Sequence, residues 1–149
     1  MNYRTALVQL PLVKEPGTTP IRTPEDAWHA CEDLQDLAQE TFHILALNTK
    51  NRLVLRHMVS VGIVDAALVH AREVFRPAIQ AGASALILVH NHPSGDPTPS
   101  AEDISITKKM IEAGKIIDIA VVDHIIIGTE SEQHAGFLSM REAGLCSFA

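Results

Sequence analysis

Cysteine is scarce in this sequence: Cys31 and Cys146 are the only two among 149 residues. Two isolated cysteines cannot form a disulfide framework, and neither lies in a Cys-x-x-Cys pair of the kind that closes structural zinc sites. Basic residues are also outnumbered, 12 Lys and Arg against 18 Asp and Glu, for a net charge of −6. A surface of this sign repels phosphate backbones, so direct nucleic-acid binding is not expected. Lys108, Lys109, Arg72 and Arg76 would make a basic patch only if folding gathered them, and solvated helix faces explain them more simply. The chain shows no cleavable signal, no apolar run of membrane-spanning length, no repeat and no low-complexity segment. The expected setting is a reducing bacterial cytoplasm, without a membrane partner. Aromatic residues are few, at 4%, yet 46% hydrophobic and 20% charged residues suit a globular chain, with disorder expected only at the ends. A chain of this length makes one domain that buries about two thirds of its unfolded surface.

What the sequence does contain is concentrated between Ser84 and Asp103. Leu86, Ile87, Leu88 and Val89 form a continuous apolar run of strand length, as in a strand buried on both faces. His90 and His92 follow at its end. Residues two apart on a strand point to one side, so both imidazoles face a common point while Asn91 faces away. Pro93, Gly95, Pro97 and Pro99 then exclude regular structure, and Ser100 precedes a helical stretch from Ala101 to about Gly114. Ser100 suits an N-cap and Asp103 the third helical position, a Ser-x-x-Asp form of the capping box that throws both side chains back toward the loop. Two neutral imidazoles and a carboxylate are a usual ligand set of catalytic zinc, which keeps a position open for water. Taken singly, a His-x-His is an ordinary polar strand end and a Ser-x-x-Asp an ordinary cap; their conjunction is much less ordinary.

The spacing His90-x-His92, seven residues, Ser100, two residues, Asp103 resembles the metal motif of the JAMM (MPN-plus) metallopeptidases. The surrounding His-Asn-His-Pro-Ser-Gly-Asp-Pro-x-Pro-Ser-x-x-Asp resembles their bacterial RadC branch, and Asp123-His124-Ile125-Ile126-Ile127-Gly128 resembles its Asp-His-x-x-x-Gly strand. The likeness runs from about Pro24 to the C-terminus. It implies zinc held by His90, His92 and Asp103, with Glu40 as the general base and Ser100 as a hydrogen-bond donor to the developing oxyanion. It also implies a mixed, largely antiparallel sheet with flanking helices, in the JAMM/MPN arrangement and with cytidine-deaminase-like layering. The implied activity is hydrolysis of amide or isopeptide bonds in a peptide or protein substrate. The RadC name carries a second implication, a DNA-repair-associated accessory protein, but the helical region that often precedes the catalytic domain is not recognisable in the first twenty residues. A third reading, a metal-free MPN-type scaffold, sits badly with a full ligand set. From the residues alone Glu40 reads equally as a solvated helix end, and Glu73 is a rival base beside Arg72 and Arg76. Asp123 and His124 either orient a ligand imidazole or simply end a strand, while His29, His43, His57, His70 and His134 have no partner at metal spacing.

The rest of the chain predicts the frame. Tyr3–Val13 alternates as a strand and Glu15–Pro20 is linker-like, which makes 1–21 an arm or edge strand and 22–149 the domain. Thr23-Pro24-Glu25-Asp26 starts a helix expected to reach Gln39, with Ala27, Cys31, Leu34 and Ala38 as its stripe. Glu40–Leu47 and Arg52–Ser60 form a hairpin about Asn48–Asn51. Gly62–Ala67 reads as a loop, Leu68–His70 as extended, and Ala71–Gln80 as a helix that Pro77 should kink. Ile116–Val122 and His124–Ile127 read as strands, Gly128–Gln133 as a polar loop and Phe137–Met140 as a last short strand. Helices and strands in this order predict a mixed α/β sheet with helices on its faces.

Overall fold

A computed structural model describes residues 20–62 and 69–149. The strand expected over Tyr3–Val13, nearly all of the linker and arm, and most of the loop after Gly62 lie outside the described residues.

The first helix, α1 (Pro24–Cys31), starts as its sequence signals predict. Thr23 Oγ1 accepts the Asp26 N–H while the Asp26 carboxylate accepts the Thr23 N–H, a reciprocal capping box with proline in the first turn. It stops short of Gln39. The Arg56 guanidinium donates to the Ala30 carbonyl, the group a continued α-helix would offer to Leu34, and grips both oxygens of Asp33 at 2.8 Å. The chain tightens into a 3-10 turn over Glu32–Asp36 that buries Leu34 and leaves Ala38 exposed.

Strands β1 (Thr41–Leu47) and β2 (Leu53–Val61) form the expected antiparallel hairpin. Asn48 Oδ1 accepts the N–H groups of Lys50 and Arg52, and Asn51 takes the left-handed conformation that asparagine tolerates. Helix α2 (Ala71–Gln80) runs through Pro77. Then come β3 (Ala85–Asn91), α3 (Ala101–Ile117), β4 (Ala120–Glu130) and β5 (Ala135–Ser139). Helix α3 therefore absorbs Ile116 and Ile117, which the sequence assigned to a strand; Ile116 is 86% exposed there. The helix ends at left-handed Asp118, and the Ile119 carbonyl folds so closely onto Gly114 that a side chain at Gly114 would collide with it. At the other end, β4 continues as far as Glu130 through the first half of the expected polar loop, and β5 starts two residues early.

The sheet order is β2-β1-β3-β4-β5, with β3 and β4 parallel and all other neighbours antiparallel. Phe42, Ile44, Leu86 and Leu88 face α2 and α3, while Leu45, Leu47, Ile87 and Val89 face α1. This is the mixed α/β sheet with helices on both faces that the sequence predicts. Of the register shifts in the sheet, the one between β3 and β4 shapes the site. Leu86 pairs with Val121 but Ile87 pairs with Asp123, so Val122 is an extra bulged residue, its carbonyl taken by Arg141. Without that bulge His124 would point to the α1 face; with it, His124 lies opposite Leu88 on the α3 face.

Candidate metal centre

The end of β3, the start of β1 and the N-terminus of α3 meet at one point. His90 and Asp103 are buried there, His92 is half-buried, and Glu40 stands at the entrance of β1. One ligand atom from each of Glu40, His90, His92 and Asp103 lies within 4.8 Å of the others, and no second such group of His, Cys, Asp or Glu occurs among the described residues. His90 Nε2 is 2.9 Å from His92 Nε2, and each is 3.0 Å from an Asp103 oxygen. These separations are close to the roughly 3.3 Å between corners of a tetrahedron with zinc bonds of about 2.0–2.1 Å. Glu40 Oε1 stands farther off, at 3.7 Å from His90 Nε2 and 4.0 Å from His92 Nε2.

The hydrogen bonds behind these groups decide what they present to each other. His92 Nδ1 is 2.8 Å from the Asp96 carbonyl oxygen, which only accepts, so the Nδ1 proton is fixed and Nε2 keeps its lone pair. His90 is set by a longer chain. The Thr107 hydroxyl donates to the Asp103 carbonyl at 2.7 Å, so its oxygen accepts from His124 Nδ1 at 2.5 Å. Burial, reinforced by His90, holds the His124 pKa well below the usual range, so the ring is neutral and its Nε2 accepts from His90 Nδ1 at 2.7 Å. His90 Nε2 therefore also faces the group with a lone pair. Asp103 is an acceptor as well: burial pushes its carboxyl up, but hydrogen bonds with His90 and His92 hold it far below the carboxylate range. With both rings neutral the three converging groups are acceptors; a proton between an imidazole and Asp103 satisfies one contact, and a bound cation satisfies all three. For His92, burial pulls the pKa down, yet Asp103 and the Asp96 carbonyl outweigh it and the net shift is upward. The donor set fits a metal of the zinc class.

The N3 residue of the capping box and the ligand are one, Asp103. The Ser100 Oγ accepts the Asp103 N–H while Asp103 Oδ2 accepts the Ser100 N–H at 2.8 Å, so the carboxylate is aimed by the capping box itself. The loop before it is pinned to β4: the His92 N–H donates to the Ile127 carbonyl and the Thr129 N–H to the Gly95 carbonyl, both at 2.8 Å. Gly128 is where they touch, since a Cβ there would collide with the Gly95 carbonyl oxygen and lie 2.9 Å from Pro97 Cδ.

A match to the RadC-like JAB domain extends over residues 21–145. The chain belongs to that family. It is 52% identical over 126 residues to a UPF0758 protein of Desulforamulus reducens, covering 84% of this chain and 53% of that one. It is 50% identical over 125 residues to a UPF0758 protein of Geobacillus kaustophilus, covering 83% and 53%. For a UPF0758 protein of Listeria monocytogenes the values are 44% over 137 residues, 91% and 59%. The chain thus spans little more than half the length of these bacterial relatives.

Within this RadC-like JAB domain the structure brings Glu40, His90, His92 and Asp103 together and leaves Glu73 out: Glu73 is exposed on α2 and faces Arg72 and Arg76. His29, His43, His57, His70 and His134 do not join the group. His124 and Asp123, adjacent in sequence, part ways. His124 orients His90, whereas Asp123 accepts from Ser139 Oγ at 2.6 Å and from the Arg141 N–H, holding the C-terminal turn. Sequence reasoning missed Thr107, although it lies four residues after Asp103 and so on the same helix face. Family and site together fit a metal-dependent hydrolase, and no described helix is long and apolar enough to cross a membrane.

Proposed function

We propose that this domain is a zinc-dependent hydrolase of amide bonds, a peptidase or isopeptidase acting on a peptide or protein substrate. The observation that carries the reading is the convergence of three lone-pair donors, His90, His92 and Asp103, with a fourth group, the Glu40 carboxylate, just behind them. Bound there, zinc would supply an activated water and a Lewis acid for the substrate carbonyl. Glu40 takes the proton from the attacking water and returns it to the leaving amine, ordinary acid-base work for a carboxylate set beside the ligands and farther out than Asp103. The exposed Ser100 hydroxyl accepts the Asp103 N–H and so keeps its own proton to donate to the developing oxyanion. A nucleic-acid role finds less support: the net charge is −6, and Arg72 and Arg76 both lie against Glu73.

The test is metal content by elemental analysis of the purified protein beside a His92→Ala/Asp103→Ala double variant. Near-stoichiometric zinc that the variant loses supports the reading and opens a peptide-substrate screen with Glu40→Gln as the inactive control. A parent that takes up no metal when supplied with zinc overturns it and leaves a scaffold.

A further inference from the structure

Asn91 sits between the two ligand histidines in sequence, yet its side chain points to the opposite face of the sheet. β1 and β3 pair antiparallel as far as Phe42 opposite His90, and the next pair outward would be Thr41 opposite Asn91. There the asparagine side chain takes over from the backbone ladder. Its Oδ1 accepts the Thr41 N–H at 2.7 Å and the Thr41 hydroxyl at 2.8 Å, and its Nδ2 donates to the Gln39 carbonyl at 2.9 Å. Those backbone groups belong to the two peptide units on either side of Glu40. The Glu40 carbonyl, in the second of them, also accepts the Gly62 N–H at 2.8 Å. The clamp is dry and anchored, because Asn91 is 1% exposed and the Thr41 hydroxyl, having donated to it, accepts from His43 Nε2 at 2.8 Å.

With both peptide units fixed, the direction in which Glu40 leaves the backbone is fixed too, and it leads to the histidine pair on the other face. We propose that Asn91 is the positioning residue of the base: it holds Glu40 over the metal-binding group while touching neither metal nor substrate. This inference rests on the reading of Glu40 as the base beside a metal. The task needs one planar group that accepts on one side and donates on the other. Aspartate keeps the acceptor and loses the donor, and leucine keeps the volume and loses both. A support of this kind matters because a base displaced by about 1 Å loses much of its effect.

The experiment uses zinc and cobalt(II) as probes on the parent, Asn91→Asp, Asn91→Leu, Glu40→Gln, His92→Ala and the Asn91→Asp/Glu40→Gln double variant. Zinc affinity is read by chelator competition, folding by thermal melts, and the surroundings of the bound ion by the pH at which the cobalt absorption changes. The Asn91 variants are expected to keep zinc affinity within about threefold of the parent, because no ligand is lost. Their cobalt transition moves in the same direction as that of Glu40→Gln, and the double variant moves no further, since both changes act through one carboxylate. The proposal is overturned by an unmoved transition in the Asn91 variants, by additive shifts, or by a loss of zinc affinity as large as that of His92→Ala. It is also overturned if neither Asn91 variant folds, which would make the residue a structural one. A parent that binds neither ion overturns the hydrolase reading and this inference with it. A Glu40→Gln variant that leaves the transition in place removes Glu40 as the base.

Discussion

His90 and Asn91 are neighbours on one strand, and the two faces of the sheet they serve are built on opposite rules. On the α3 face, the groups that meet are all acceptors: two imidazole lone pairs and a carboxylate, each locked by a bond on its far side. On the α1 face, Asn91, Thr41 and His43 match donor to acceptor in sequence, and burial, helped by the Arg56 charge, pushes His43 down to about 4, so that cluster is neutral at pH 7. A buried polar cluster that pairs donor with acceptor, as this one does at every side-chain atom but His43 Nδ1, is architecture. One whose members all offer the same half of a bond when neutral suits a cation, and both kinds arise here within one residue of each other.

The largest way to break this contrast is to remove a ligand from the unsatisfied face. His92→Ala should lower zinc affinity on the order of a thousandfold, about 4 kcal/mol, in chelator competition. Asp103→Asn should do nearly the same while leaving the melting temperature almost unchanged, because an amide oxygen still accepts the Ser100 N–H. Next is Gly128→Ala. A methyl group pressed against the Gly95 carbonyl and Pro97 forces the metal loop off β4, at about 1–3 kcal/mol in denaturant unfolding. Thr107→Val then removes the hydroxyl that fixes the His124 tautomer, and through it the orientation of His90, without emptying space. Zinc affinity should fall about 10-fold to 100-fold while the fold persists.

The neutral face is tested by acid. His43 titrates at about 4 when folded and near 6.5 when unfolded, so between these values the unfolded chain binds more protons. Its contribution is complete above pH 6.5 and is lost as pH falls toward 4. His43→Gln, which still donates to Thr41 and does not titrate, should flatten the decline in unfolding free energy between pH 6.5 and 4.5 by about 2 kcal/mol. An unchanged slope would mean that the ring is not held neutral.

Much of this was legible in one dimension. The capping boxes at Thr23 and Ser100, the Asn48–Asn51 turn and the apolar run into His90 rest on contacts within a few residues, and each forms where the sequence signals it. The errors share a different origin. Helix α1 ends early because Arg56, 26 residues away, takes the Ala30 carbonyl, and Ile116 belongs to a helix because the chain turns back over Gly114 rather than before it. The choice between Glu40 and Glu73 as the carboxylate beside the histidines was equally closed to spacing, since it depends on which element passes the end of β3.

The sequence by itself determined the ligand types, the alternation that turns His90 and His92 one way and Asn91 the other, and the cap that aims Asp103. These follow from backbone geometry over a turn or a few strand residues. Only the tertiary structure decided that Val122 bulges and delivers His124 to His90, that Thr107 sets its tautomer, and that Asn91 grips the backbone around Glu40. Those relations join residues 17 to 52 positions apart, and a hydrogen bond across such a distance exists only once the sheet has put its ends together.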